Sequence, residues 1–321
     1  MSVSSVSEIY QNTTAQGSDT TVPTANILCT LILLITFLFG LVVNVLYLWI
    51  LGLKMSKSVN TAMIFHLILV NLVFTMTMPL LSVYMLTFPQ WILGDFMCKL
   101  VNSLLSLCIY TTVFFLTVIS LDRYTLVFHP VWYRGHMNHR YASVTCILLW
   151  GFAALCSSPY FAFRQIRLLK DNKTAICYND YTLSGKWDGE LLKWFMFGFR
   201  LVLGFLIPLS VISVCYLKLA LRMKKENLAR SNKPYRIIFI FITSFIMCWT
   251  PYYLWYGMSM EQEKFPKATL NVLMVMTICL ICLYYCFTPV LYLFAVKNFK
   301  KEFRKSIMSL FESALTEAFR S

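Results

Sequence analysis

Seven runs of mostly apolar sequence, at about 27–51, 60–87, 97–127, 142–162, 193–221, 235–259 and 268–295, constrain this chain more than any other feature. A helix crosses hydrocarbon about 30 Å thick with roughly 20 residues, and each run meets that length. Composition agrees: 59% of residues are hydrophobic and 13% charged, against about 25% charged in a soluble domain. The expected fold is an all-α membrane protein, a seven-transmembrane helix bundle. Residues 1–26 read as an outer segment, 27–295 as the bundle and 296–321 as an inner amphipathic helix with its tail. The polar start through Thr24 has neither a basic opening nor an apolar core, so it does not read as a cleavable signal peptide.

Charge orients the bundle. Lys and Arg gather after span one (Lys54, Lys57), after span three (Arg134, Arg140), between spans five and six (Lys218, Arg222, Lys224, Lys225, Arg230) and in the tail (Lys300, Lys301, Arg304, Lys305). Positive segments stay in the cytoplasm, which places the amino terminus outside and the carboxyl terminus inside, as in a multi-pass plasma-membrane protein. The net charge of +14 therefore reads as topology. It forms no aromatic-interleaved patch, so nucleic acid is not an expected partner. The sequons at Asn12 and Asn172 both fall on the outer side and read as glycosylation sites.

Of 11 cysteines, Cys98 and Cys177 combine an outer location with a loop or span-end setting, and they are the expected disulfide, with Cys29 as the rival partner. Such a bridge closes a long loop, worth about 4 kcal/mol in the chain-entropy model.

Polar residues within or at the edge of the spans carry the functional signal. Asp122-Arg123-Tyr124 ends span three, where a carboxylate, a permanent cation and a phenol fit an interface with a partner better than hydrocarbon. Arg200 lies eight residues before Pro208 in span five, about 12 Å along a helix at 1.5 Å per residue. An arginine at that depth reads as the counter-charge for a ligand carboxylate, the alternative being a side chain that snorkels to the interface. Pro251 and Pro289 each remove a backbone hydrogen bond from their helix and allow a kink. Four histidines make no zinc pattern, and there is no phosphate-cradling glycine loop or serine elbow. No catalytic residue, metal site or cofactor is expected.

Asn44, Trp91-Ile92-Leu93-Gly94, Asp122-Arg123-Tyr124, Trp150, Pro208, Tyr216, Cys248-Trp249-Thr250-Pro251 and Pro289-Val290-Leu291-Tyr292 stand in register along the chain. With them the sequence resembles the rhodopsin-like G-protein-coupled receptors. His129-Pro130-Val131-Trp132 and Phe65-His66-Leu67-Ile68-Leu69 make it most similar to the chemoattractant branch that holds the formyl-peptide receptors.

The resemblance implies a receptor for an extracellular peptide or acidic lipid that couples to a heterotrimeric G protein of the inhibitory class, and to arrestin. It implies that Asp122 holds Arg123 at rest, that Tyr216 and Tyr292 approach Arg123 on activation, and that Trp249 and Pro251 relay ligand position with Asn71, Thr288 and Pro289. Arg200 would sit in a wall formed by Asn102, Ser106, Tyr110, Tyr252, Tyr253 and Tyr256. Formyl peptides themselves fit poorly, since Met196 and Ser106 stand where relatives carry a second arginine and an aspartate. Amines fit poorly too, because Leu105 occupies the place of their carboxylate.

Two departures touch the relay. Relatives carry aspartate where this chain has Asn71, and asparagine or aspartate where it has Thr288; there, with Thr112, these positions enclose a sodium ion. A hard cation wants charged oxygens, so sodium regulation is not expected here. Ser231 also stands where many relatives keep an acidic clasp for Arg123. These departures leave a weakly signalling or scavenging receptor as the alternative. Beyond span seven, Phe299, Phe303, Ile307 and Leu310 recur at helical spacing among basic residues, as a helix lying on an anionic leaflet would require.

Overall fold

The computed structural model describes residues 23–55, 58–169, 174–183, 185, 188–225, 233–292, 304–305 and 308; the side chains of 233–242, 287 and 290–292 lie outside that description. Outside it also fall Asn12, Asn172, Ser231, the Tyr292 side chain and most of the expected amphipathic tail.

Long helices dominate: α1 (Thr24–Leu53), α2 (Val59–Thr87), α3 (Gly94–Phe128), α5 (His139–Phe163), α6 (Gly189–Leu201) running on into α7 (Ile207–Lys225), α8 (Lys233–Ser259) and α9 (Lys267–Tyr292). A short α4 (Pro130–His136) sits between α3 and α5. Six of these, α6 and α7 counted together, are long and apolar enough among the described residues to cross a membrane. Helix α8 completes a seven-helix bundle.

Three helices begin with capping side chains that satisfy their first N–H groups. Ser58 Oγ accepts from Thr61 N at 3.1 Å, Asn138 Oδ1 from Tyr141 N at 2.9 Å and Asp188 Oδ1 from Glu190 N at 2.9 Å. Burial is inverted relative to a soluble protein. Ile35, Val42, Ile147 and Leu155 are 66–70% exposed, whereas Asn44, Asn71 and Thr112 are wholly buried. Apolar side chains facing out and polar ones facing in suit a lipid solvent.

The fold is not entirely helical. The link between α5 and α6 carries an antiparallel hairpin, β1 (Arg164–Leu168) with β2 (Ala175–Asn179), which pairs Ile166 with Cys177. Trp91 N–H donates to Ala175 O at 2.7 Å and Trp91 Nε1 to Gly94 O at 2.9 Å, so the loop before α3 is laced to this hairpin. Gly94 holds φ at +81°, a left-handed conformation that a side chain would oppose. Between α6 and α7 the chain forms a single π-turn, Val202–Leu206, just before Pro208.

Candidate functional site

At one end of the bundle Cys98 and Cys177 are bridged, with a Cα–Cα distance of 5.8 Å, and Cys29 remains a buried free thiol. The bridge pins β2 over the first turn of α3. Asn102 Nδ2 donates to Cys98 O at 2.8 Å and reaches Cys177 Sγ at 3.6 Å, so this side chain braces the bridge.

Below the hairpin lies Arg200, only 6% exposed. Its guanidinium carbon stands 4.7 Å from the centre of the Tyr160 ring, 5.4 Å from Tyr252 and 5.5 Å from Tyr256. Ring faces attract a cation, which is how a charge at this depth is held without a carboxylate. Among the described residues no acidic group lies within salt-bridge distance of it, and Arg200 Nε has no hydrogen-bond partner. The hydroxyls of Tyr110, Tyr160 and Ser106 are likewise buried without partners. Buried polar groups rarely stay unsatisfied, so a cluster of them around a cation marks a place for an acceptor-rich ligand.

Sequence reasoning missed Arg164 in this cluster. It opens β1, donates through Nη1 to Cys177 O at 3.2 Å, and its Nε is buried without a partner. Burial lowers its pKa, with nearby tyrosines acting the other way and Arg200 close enough to add repulsion; an arginine stays charged regardless. Only the hairpin's fold back over the bundle brings it here, and spacing along the chain gives no sign of that. Tyr160 was also missed.

Tyr253 plays a part different from wall. Its hydroxyl donates to the backbone carbonyl of Arg200 at 3.2 Å, and it fills the notch left by Gly204, where an added Cβ would collide with it. Aromatic contacts lead from there toward the middle of the bundle. Tyr252 meets Trp249 edge-on at 6.1 Å, and Trp249 meets Tyr284 at 5.8 Å. Pro251 lies within α8 beside these rings.

Deeper in the bundle, Asn71 is wholly buried, and neither polar atom of its amide has a partner. Thr112 Oγ1 is engaged by the Tyr285 hydroxyl at 3.3 Å, and Thr288 Oγ1 donates to the Tyr284 carbonyl. Asn71, Thr112 and Thr288 offer neutral oxygens and no carboxylate, which suits a hard cation poorly. Sequence reasoning passed over Tyr284 and Tyr285, which lie beside these positions.

At the opposite end Asp122 is 5% exposed and accepts from the Tyr133 hydroxyl of α4 at 2.8 Å. Asp122 and Arg123 make no direct ion pair among the described residues, though their charges lie close enough to interact, and Arg123 Nη2 is buried without a partner. Burial, together with the hydrogen bond and charge of Asp122, raises the Tyr133 pKa, which keeps the phenol a donor. Tyr124 stacks on Phe128 at 4.5 Å and takes Lys218 of α7 over its ring at 5.7 Å. Tyr216 lines a small cavity with Ser120, Phe245, Tyr284 and Thr288, with room for about one water molecule. On α4, Val131 is 86% exposed.

Residues 43–292 match the sequence profile of the 7 transmembrane receptor (rhodopsin family). The chain is 37% identical over 302 residues to the Probable G-protein coupled receptor 33 of Homo sapiens, covering 92% of this chain and 90% of that one. It is 37% identical over 325 residues to the Rattus rattus protein of the same name, covering 98% and 93%. The Chemerin-like receptor 1 of Sus scrofa is 32% identical over 290 residues, covering 87% and 79%. The chain therefore belongs to the rhodopsin family of seven-transmembrane, G-protein-coupled receptors.

Proposed function

We propose that this receptor sits in the plasma membrane with its disulfide end outside and its Asp122 end in the cytoplasm, and that it is of the chemoattractant type. It binds an extracellular peptide or lipid bearing a carboxylate and activates a heterotrimeric G protein of the inhibitory class, with arrestin as a further partner. The observation that carries this reading is Arg200: a buried cation ringed by three tyrosines, with no acidic partner among the described residues. A carboxylate gains more there than a neutral group, because charge-assisted hydrogen bonds are roughly twice as strong as neutral ones. Arg164 adds a second positive group on the same side of the bundle.

The other end suits a protein partner. Arg123 Nη2 has a donor to offer, and Val131 presents an exposed apolar side chain on a short helix tied to Asp122 through Tyr133. Exposed apolar side chains and arginine are both favoured at protein interfaces.

The test is a panel of peptides and lipids with free carboxylates, chemerin-like peptides among them because relatives carry that name. G-protein activation and arrestin recruitment are measured on the wild type and Arg123→Ala. Activation that the substitution abolishes supports a signalling receptor. Uptake of ligand without activation, unchanged by Arg123→Ala, supports the scavenger instead.

A further inference from the structure

Tyr285 is wholly buried in the middle of α9. Its ring stacks on Phe74 of α2, with centroids 3.8 Å apart and planes 11° off parallel, and its hydroxyl meets Thr112 Oγ1 of α3 at 3.3 Å. Next to it Tyr284 packs against Trp249. One side chain thus joins three spans, stacking on one and hydrogen-bonding to another. Thr112 is one of the three positions that hold sodium in relatives; of the other two, Asn71 carries no charge and Thr288 is bonded along its own helix.

We propose that the Tyr285 hydroxyl, fixed by Thr112 and the Phe74 ring, is a built-in polar strut that takes both the space and the bonding role of a cation between spans three and seven. The physical grounds are volume and charge. A phenol fills a buried site with apolar surface while leaving a single polar tip, which here has a partner. A cation needs several oxygens and a compensating negative charge; here Thr112 Oγ1 already faces the phenol tip, and the amide of Asn71 supplies no charge. The strut is permanent, so the tie between the spans does not vary with the salt outside the cell. This inference is independent of what binds Arg200.

The experiment needs no ligand. The purified full-length receptor is unfolded by heat in sodium chloride and in N-methylglucamine chloride at equal ionic strength. The wild type is expected to melt at the same temperature in both. Tyr285→Phe and Thr112→Val each lower the midpoint by about 2–4 °C, and the double variant falls no further than the worse single one, since each removes the same bond. Asn71→Asp alone brings no sodium dependence; combined with Tyr285→Ser, which opens the space, it brings a sodium-specific rise. A sodium-specific rise in the wild type overturns the proposal. So do additive losses in the Tyr285→Phe, Thr112→Val pair, full sodium dependence from Asn71→Asp alone, or none in its combination with Tyr285→Ser. If that last variant does not fold, the wild-type comparison and the Phe/Val pair still decide.

Discussion

The Asp122 carboxylate accepts a 2.8 Å hydrogen bond from the Tyr133 hydroxyl, which ties the last turns of α3 to the short helix α4. Asp122 is thereby drawn toward a loop helix, and Arg123 beside it keeps a buried donor unpaired. A buried carboxylate that loses its hydrogen-bonded side-chain partner bears the cost of desolvation with less compensation. Tyr133→Phe is expected to destabilise the receptor by about 1–3 kcal/mol. Thermal unfolding of the purified protein measures this, and an unchanged midpoint would show that the bond contributes nothing.

Gly204 and Tyr253 make a second such pair. The notch at Gly204, within the π-turn, admits the hydroxyl that donates to Arg200 O. Gly204→Ala should displace Tyr253 and destabilise by about 1–3 kcal/mol, as overpacking does. Removing the obstructing oxygen with Tyr253→Phe should restore part of the loss in the double variant. Melting temperatures of the three variants test this; a double variant worse than the sum of its singles contradicts it.

Asp180, where the hairpin leads out of β2, offers a test against pH. Its carboxylate accepts from Thr182 N at 3.0 Å, Thr182 Oγ1 at 2.6 Å and the Tyr178 hydroxyl at 3.1 Å. Slight burial acts to raise its pKa, but these hydrogen bonds, with Arg167 nearby, outweigh it and hold the group below the ordinary carboxylate range. A depressed pKa stabilises the folded loop above the unfolded value of about 3.9, and that contribution is lost as pH falls through the folded value. Protection of the Thr182 amide from hydrogen exchange should therefore hold steady from neutral pH down to about 4 and fall below it. In Asp180→Ala it should be low throughout; protection in that variant equal to the wild type would be the contrary result.

Legibility in the sequence followed how local each feature is. Apolar runs of about 20 residues located the helices, while Ser58, Asn138 and Asp188 extended them by capping, a detail the apolar pattern does not carry. Cys98 and Cys177 stood out by location, and Arg200 by its depth in a span. Arg164, Tyr133 and Tyr285 did not stand out, because an arginine in a loop and a tyrosine at an interface or in a core are ordinary there. What sets them apart is a neighbour on another element, 13, 11 and 173 residues away: Cys177, Asp122 and Thr112 respectively. The hairpin and the π-turn are of the same kind, since both depend on how the chain packs after the spans have formed.

The central claim, that Arg200 receives a carboxylate, is tested most directly by a two-way exchange. The potency of the most active acid of the panel and of its amide-capped counterpart is measured on the wild type and on Arg200→Gln. Breaking a buried charge pair costs about 2 kcal/mol or more, roughly a 30-fold loss. Capping the acid and substituting the arginine should each produce that loss, and together no more than either alone. Equal potency of acid and amide on the wild type, or losses that simply multiply, would contradict the account.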